Sequence, residues 1–250
     1  MQDFFSTAFL ESIPPALRDV PQQIRSQTGI ALQVQEIDES FARCNPAFAN
    51  AAAVLDIDHV QQAITIRVAP AALSPRILSH ELIHLKRNVV ESVPKFFPIG
   101  TASDAEIQSI YLVENALEHL FVVPEEIALH PESEAHWAQD YQALVERSKH
   151  NGFALCLHWF FLRIALPNCG AVAEACAAHL NALQDPYLIR VAEYLGRTLH
   201  AQRPDKLAMQ HTLLKAIDPA LRTHIAIGRF AIRDGKLVTE RLKDGQWCSE

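Results

Sequence analysis

Apolar residues recur at helical spacing over most of the chain and alternate, strand-like, at only a few places. Residues 16–27 carry a short helical pattern that stops at Gly29, a residue suited to the left-handed cap of a helix end. Residues 30–37 (IALQVQEI) partly alternate and residues 63–68 (AITIRV) do so clearly, so both predict strands. The stretch 41–58 between them is irregular and Ala-rich and predicts no regular element. A helix is predicted over 74–90, with Ser74 as N-cap and Pro75 in the first turn. After a Pro- and Phe-containing loop at 93–101, a second helix is predicted over 103–123, opened by a Ser103/Glu106 capping box and ended by Pro124. Residues 132–217 are helical almost throughout, with breaks near Asn151-Gly152, 167–170, Pro186 and Pro204. Residues 223–239 then alternate around Asp234-Gly235, the signal of a tight hairpin turn. The expected fold class is therefore α+β and helix-dominated.

Composition narrows the class without adding chemistry. The chain has 250 residues, of which 49% are hydrophobic and 20% charged, with 8 Gly; these are the proportions of a globular protein able to bury a core without disulfides. The net charge of -7 and the lack of any basic run longer than Lys86-Arg87 argue against nucleic acid or anionic lipid as partner. The opening residues lack a basic n-region, and no apolar run reaches the roughly 18 residues of a membrane span. Five cysteines (Cys44, Cys156, Cys169, Cys176 and Cys248) form no CxxC pair, which suits a reduced, cytoplasmic protein without a cysteine-ligated metal.

The one motif that carries chemistry is His80-Glu-Leu-Ile-His84 within the 74–90 helix. Residues i and i+4 project from one helix face, so two imidazoles can share one zinc ion, while Glu81 can reach water beside the ion as general base. Leu78, Leu82, Leu85 and Val89 form an apolar stripe, and His80, His84, Arg87 and Glu91 lie on the other side. A solvated polar face carrying two histidines is the bland alternative.

A catalytic zinc site takes a third protein ligand. On the 103–123 helix, Glu114 and Glu118 share a face with Ile107, Ile110, Tyr111, Leu117 and Phe121. Carboxylates on an apolar face are costly unless a metal or a cation meets them. Glu114 is the expected third ligand, and Glu118 either accepts from a ligand histidine or takes the ligand role itself. His119, about 100° round the helix, is a third alternative, and pairing of both glutamates with Lys or Arg from elsewhere is a fourth. Tyr111 is the expected donor to the oxyanion; His150, His158, His179, His200, His211 and His224 are weaker candidates.

A strand, a helix with HELIH and a second helix with paired acidic residues resemble the gluzincin branch of zinc metallopeptidases. The compact order and the run Asn115 to Pro124 (NALEHLFVVP) resemble the ImmA/IrrE family in particular. The resemblance spans Ile30 to about Pro124 and implies zinc on His80 and His84 with Glu81 as base. In that family the ligand glutamate lies four residues before the Asn, where this chain has Tyr111, so the role reaches Glu114 only through a shift of register.

The expected organisation is a zincin-like core over 1–130, a helical subdomain over 131–217, and a hairpin with tail over 218–250. The expected function is zinc-dependent hydrolysis of a bond in a peptide or protein substrate, by a protein that binds neither nucleic acid nor membrane; a homo-oligomer is left open. Zinc hydrolysis of another substrate, or a catalytically inactive zincin-like module that binds or regulates a partner, are the competing readings.

Overall fold

A computed structural model describes residues 7–44 and 51–249, without the side chains of residues 7, 8 and 44. Residues 1–6 and 45–50, and with them part of the 41–58 stretch, lie outside the described residues, as does the Cys44 side chain. In chain order the elements begin with α1 (Thr7–Glu11), α2 (Pro15–Arg18), α3 (Val20–Thr28), β1 (Leu32–Glu36), α4 (Glu39–Cys44), β2 (Ala53–Asp58), β3 (Ala63–Val68), α5 (Pro75–Leu85) and β4 (Lys95–Pro98). They continue with α6 (Asp104–Leu129), α7 (Ser133–Arg147), α8 (Gly152–Ala165), α9 (Gly170–Ala182), α10 (Pro186–Gln202), α11 (Lys206–Ala216), α12 (Pro219–Arg222), β5 (Ile225–Arg233), β6 (Lys236–Lys243) and β7 (Gln246–Ser249). The fold is α+β and helix-dominated, with two small sheets. None of the described helices is long and apolar enough to cross a membrane.

The chain divides into two units, Met1–Lys95 with Ile227–Glu250, and Phe96–Ala226. These limits differ from the expected 1–130, 131–217 and 218–250. The whole of α6 belongs to the second unit, and the C-terminal strands belong with the N-terminal third.

In the first unit, β3 is the central strand of a three-stranded sheet of order β1-β3-β2. It runs parallel to β1 (Leu32 opposite Ile64) and antiparallel to β2 (Ala53 opposite Val68). On this centre strand Ile64, Ile66 and Val68 share one face and are buried, in keeping with the clear alternation of 63–68. Strand β2 falls inside the stretch expected to be irregular: AVLDID alternates too briefly to stand out, and pairing with β3 supplies the order that the local sequence does not. The helix expected over 16–27 is two helices, because Asp19 ends α2 and caps α3; Gly29, at φ +74°, returns its N–H to Arg25 O.

Helix α5 packs against this sheet, with Leu78, Leu82 and Leu85 fully buried. It starts as expected: Pro75 occupies the first turn and Ser74 Oγ accepts from Ile77 N–H at 3.3 Å. It ends earlier than 90, since Lys86–Val90 widen into a π-helical turn that still buries Val89. In the hairpin, Asp234 (φ +50°) and Gly235 (φ +74°) are both left-handed, as a type I′ turn requires. Asp244-Gly245 repeats the device and adds β7, a strand beyond the expected hairpin. The Gln62 amide both donates to Leu237 O (2.7 Å) and accepts from Leu237 N–H (2.9 Å), fastening the β2–β3 turn to β6.

The second unit is a helical assembly in which α8 meets α6, α9 and α10. Helix α8 carries Phe160 and Phe161 into the core, together with Leu155 and Leu162. Its N-cap is Asn151, whose Oδ1 accepts from Ala154 N–H (3.1 Å); Asp185 and Asp205 cap α10 and α11 in the same way. Helix α6 opens with the expected capping box, Ser103 N–H donating to Glu106 Oε2 and Glu106 N–H to Ser103 Oγ. It does not stop at Pro124 but continues to Leu129. A proline interior to a helix removes one backbone hydrogen bond, at a cost of roughly 3 kcal/mol. Burial of Val122, Val123 and Glu126 on either side holds the last turns in place.

Candidate metal centre

The HELIH segment lies on α5 in the first unit. His80 is 8% exposed and Glu81 6%, so these two residues do not form the solvated face that a surface helix would present. His84 is half-buried one turn on. The two imidazoles lean together: their Nε2 atoms are 3.1 Å apart and the rings meet edge to face, with centroids 4.7 Å apart. At that separation at most one Nε2 carries a hydrogen, so at least one lone pair points into the gap. Zinc–nitrogen bonds of 2.0–2.1 Å at the tetrahedral angle place two ligand nitrogens about 3.3 Å apart. The observed separation is within a few tenths of an ångström of that value.

The remaining expected residues lie on α6, in the second unit. Glu114 and Glu118 are buried, as their shared apolar face requires. Both meet Lys206, the first residue of α11: Lys206 Nζ donates to Glu114 Oε1 at 2.7 Å and forms a very short contact to Glu118 Oε2. The second oxygen of Glu114 accepts from Phe96 N–H at 2.8 Å. Both oxygens of Glu114 are thus engaged within its own unit. The expected metal ligand is, in this structure, an ion-pair partner, the alternative that two carboxylates on an apolar face had left open.

Lys206 had no signature of its own in the sequence beyond one oddity. A lysine at the first position of a helix opposes the helix dipole, which favours anions there. Two buried carboxylates offset that penalty, and Lys206 is itself buried.

Tyr111 lies toward the solvent edge of α6, 43% exposed, and partial burial raises its hydroxyl above the usual tyrosine range. His119 is buried among aromatic rings: its imidazole meets Trp137 edge-on at 5.3 Å and Phe161 at 6.5 Å. Of the later histidines, His158 is buried against the edge of Tyr141, with Ser148 Oγ 3.1 Å from its Nε2; burial lowers it to about 4, so it is neutral at pH 7. His179 lies 3.3 Å from Glu146 and His224 3.6 Å from Glu106, while His150, His200 and His211 are exposed. Cys156 and Cys176 are buried free thiols, raised by burial to about 11 and about 12, so neither is a nucleophile.

Comparison of the chain with protein-family models, with curated proteins and with solved structures yields no match.

Proposed function

We propose that the chain is a zinc-dependent metallopeptidase, cleaving a bond in a peptide or protein substrate. The observation that carries this reading is the HELIH helix: two converging Nε2 atoms 3.1 Å apart, with a buried Glu81 next to the first of them. His80 and His84 are the first two ligands. Glu114 and Glu118, the residues the sequence offered for the third ligand, both pair with Lys206 in their own unit. A catalytic zinc site takes a third protein ligand and keeps the fourth position open for water or substrate.

When bound, zinc supplies a Lewis acid that lowers the pKa of water and polarises a carbonyl. The protein's own part falls to Glu81, whose carboxylate takes the proton from the attacking water and passes it to the departing amine. A reduced compartment such as the cytoplasm is consistent with the unpaired thiols Cys156 and Cys176.

A second reading, a catalytically inactive zincin-like module that binds or regulates a partner, draws support from one observation: Glu114 and Glu118 of α6 both pair with Lys206. The substitution E81Q separates the two. It leaves the imidazoles untouched, so the metallopeptidase reading expects one zinc retained per chain and hydrolysis of a casein or peptide-library substrate reduced at least about 100-fold. Wild-type protein that carries zinc yet cleaves nothing would favour the inactive module.

A further inference from the structure

The helix of the paired imidazoles continues into one more buried polar side chain. Asn88 lies one turn beyond His84, inside the π-helical turn Lys86–Val90. It is 2% exposed, and its side-chain oxygen Oδ1 is buried with no hydrogen-bond partner among the described residues. Buried amide oxygens are almost always satisfied, so an orphan calls for an explanation. As a core filler, leucine would take a similar volume with no polar group to satisfy.

The backbone at this point is unusual too. Glu91 N–H bonds back five residues to Lys86 O at 3.0 Å, a wide turn of the kind that often marks a functional site in a helix. In a continuous α-helix residue i+4 falls about 40° past residue i. The wider turn holds more residues and cancels part of that offset, which keeps Asn88 close to the line of His80 and His84. Helical side chains lean toward the N-terminus, so position 88 covers the turn that carries His84.

The chemistry of a ligand imidazole gives that oxygen a task. His84 turns Nε2 toward His80 across the 3.1 Å gap. An imidazole that binds a metal through Nε2 carries its hydrogen on Nδ1 and donates it to an oxygen that fixes tautomer and ring plane. Cβ atoms at i and i+4 are about 5–6 Å apart, a span that an imidazole Nδ1 and an amide oxygen close to hydrogen-bond distance.

We infer that Asn88 is a positioning residue whose Oδ1 accepts the Nδ1–H of His84 when Nε2 binds the metal. This rests on the reading of His80 and His84 as zinc ligands. The experiment uses the full chain and measures zinc affinity by chelator competition at pH 7.5. A second readout is the solvent-exchange rate of the His84 Nδ1–H in the nitrogen-15 NMR spectrum of the zinc-loaded protein. N88L removes the acceptor at similar volume, and N88A removes it by truncation. The expected result is zinc affinity lower by about 10–100-fold in both variants, with the His84 Nδ1–H protected in wild type and exchanging faster in each variant. A purely structural role would change the melting temperature and leave affinity and exchange as in wild type, and that result overturns the inference. Weaker binding with an unchanged Nδ1–H signal overturns it equally. Should N88L not fold, N88A decides alone by the same criteria. The companion variant H84A keeps the two failures apart. If H84A loses zinc while N88L and N88A bind it as wild type does, the role of Asn88 falls and the zinc site stands. If wild type binds no zinc, both fall.

Discussion

Removing the Lys206 ammonium should unfold much of the second unit's stability margin. In K206M a chain of similar volume and no charge replaces a buried cation held by two buried carboxylates. At 2.7 Å, and with an effective dielectric of about 20, the gross attraction of Lys206 to Glu114 alone is roughly 6 kcal/mol. Desolvation of the three groups cancels most of that in the intact triad, so the triad itself adds little net stability. Breaking it is a different matter, because Glu114 and Glu118 keep their desolvation cost and lose the cation that offset much of it. The expected loss is about 3–5 kcal/mol. Urea unfolding followed by circular dichroism at pH 7.5 reads this as a lower midpoint with an unchanged slope, and for a chain of this length it corresponds to a fall of about 10 °C or more in melting temperature. The variant K206M/E114Q/E118Q carries no buried charge at these positions and should recover most of the loss, which a cavity or packing defect at position 206 would not do. A loss below about 1 kcal/mol in K206M, or no recovery in the triple variant, would refute this account of the triad.

Two further outcomes follow from the same geometry. E114Q should leave zinc affinity within about threefold of wild type, while H84A should weaken it more than about 100-fold; isothermal titration at matched pH distinguishes these, and wild-type affinity in H84A would contradict its role as ligand. His158, lowered by burial from 6.5 to about 4, takes up a proton in the unfolded chain before it does so in the folded one. Its contribution is therefore intact above about pH 6.5 and lost as the pH falls toward 4, amounting to about 3 kcal/mol. Stability measured from pH 7.5 to 4.5 should fall less steeply in H158L than in wild type, and parallel curves would contradict the assignment.

How much of this was legible in the sequence depends on the range of the interactions involved. Local signals carried well: Ser74 and Ser103 cap their helices, Gly29 ends α3, and Asp234-Gly235 turns the hairpin, each through bonds or dihedrals spanning a few residues. The stripe Leu78, Leu82, Leu85 and Val89 was readable because 3.6-residue periodicity maps onto burial. Features that depend on distant partners were not readable. Strand β2 exists because β3 lies beside it, and α6 runs through Pro124 because its neighbours bury both sides. The second turn, Asp244-Gly245, carries the same dipeptide signal as the first.

The candidate site divides along the same line. His80, Glu81 and His84 are fixed by one helix, so their spacing announces their geometry. The cost of burying Glu114 and Glu118 was visible on a helical wheel, but the choice between metal and cation was not, because Lys206 lies 88 residues beyond Glu118. The cage of Trp137 and Phe161 around His119 likewise joins three helices and leaves no trace in any single stretch of chain.

The central claim is that the paired imidazoles of α5 bind a divalent metal. Equilibrium dialysis of wild type and H80A/H84A against micromolar zinc, followed by elemental analysis and a circular-dichroism check of fold, tests it most directly. The account predicts one zinc per wild-type chain and none in a folded double variant. Metal-free wild type, or equal zinc in both proteins, would contradict it.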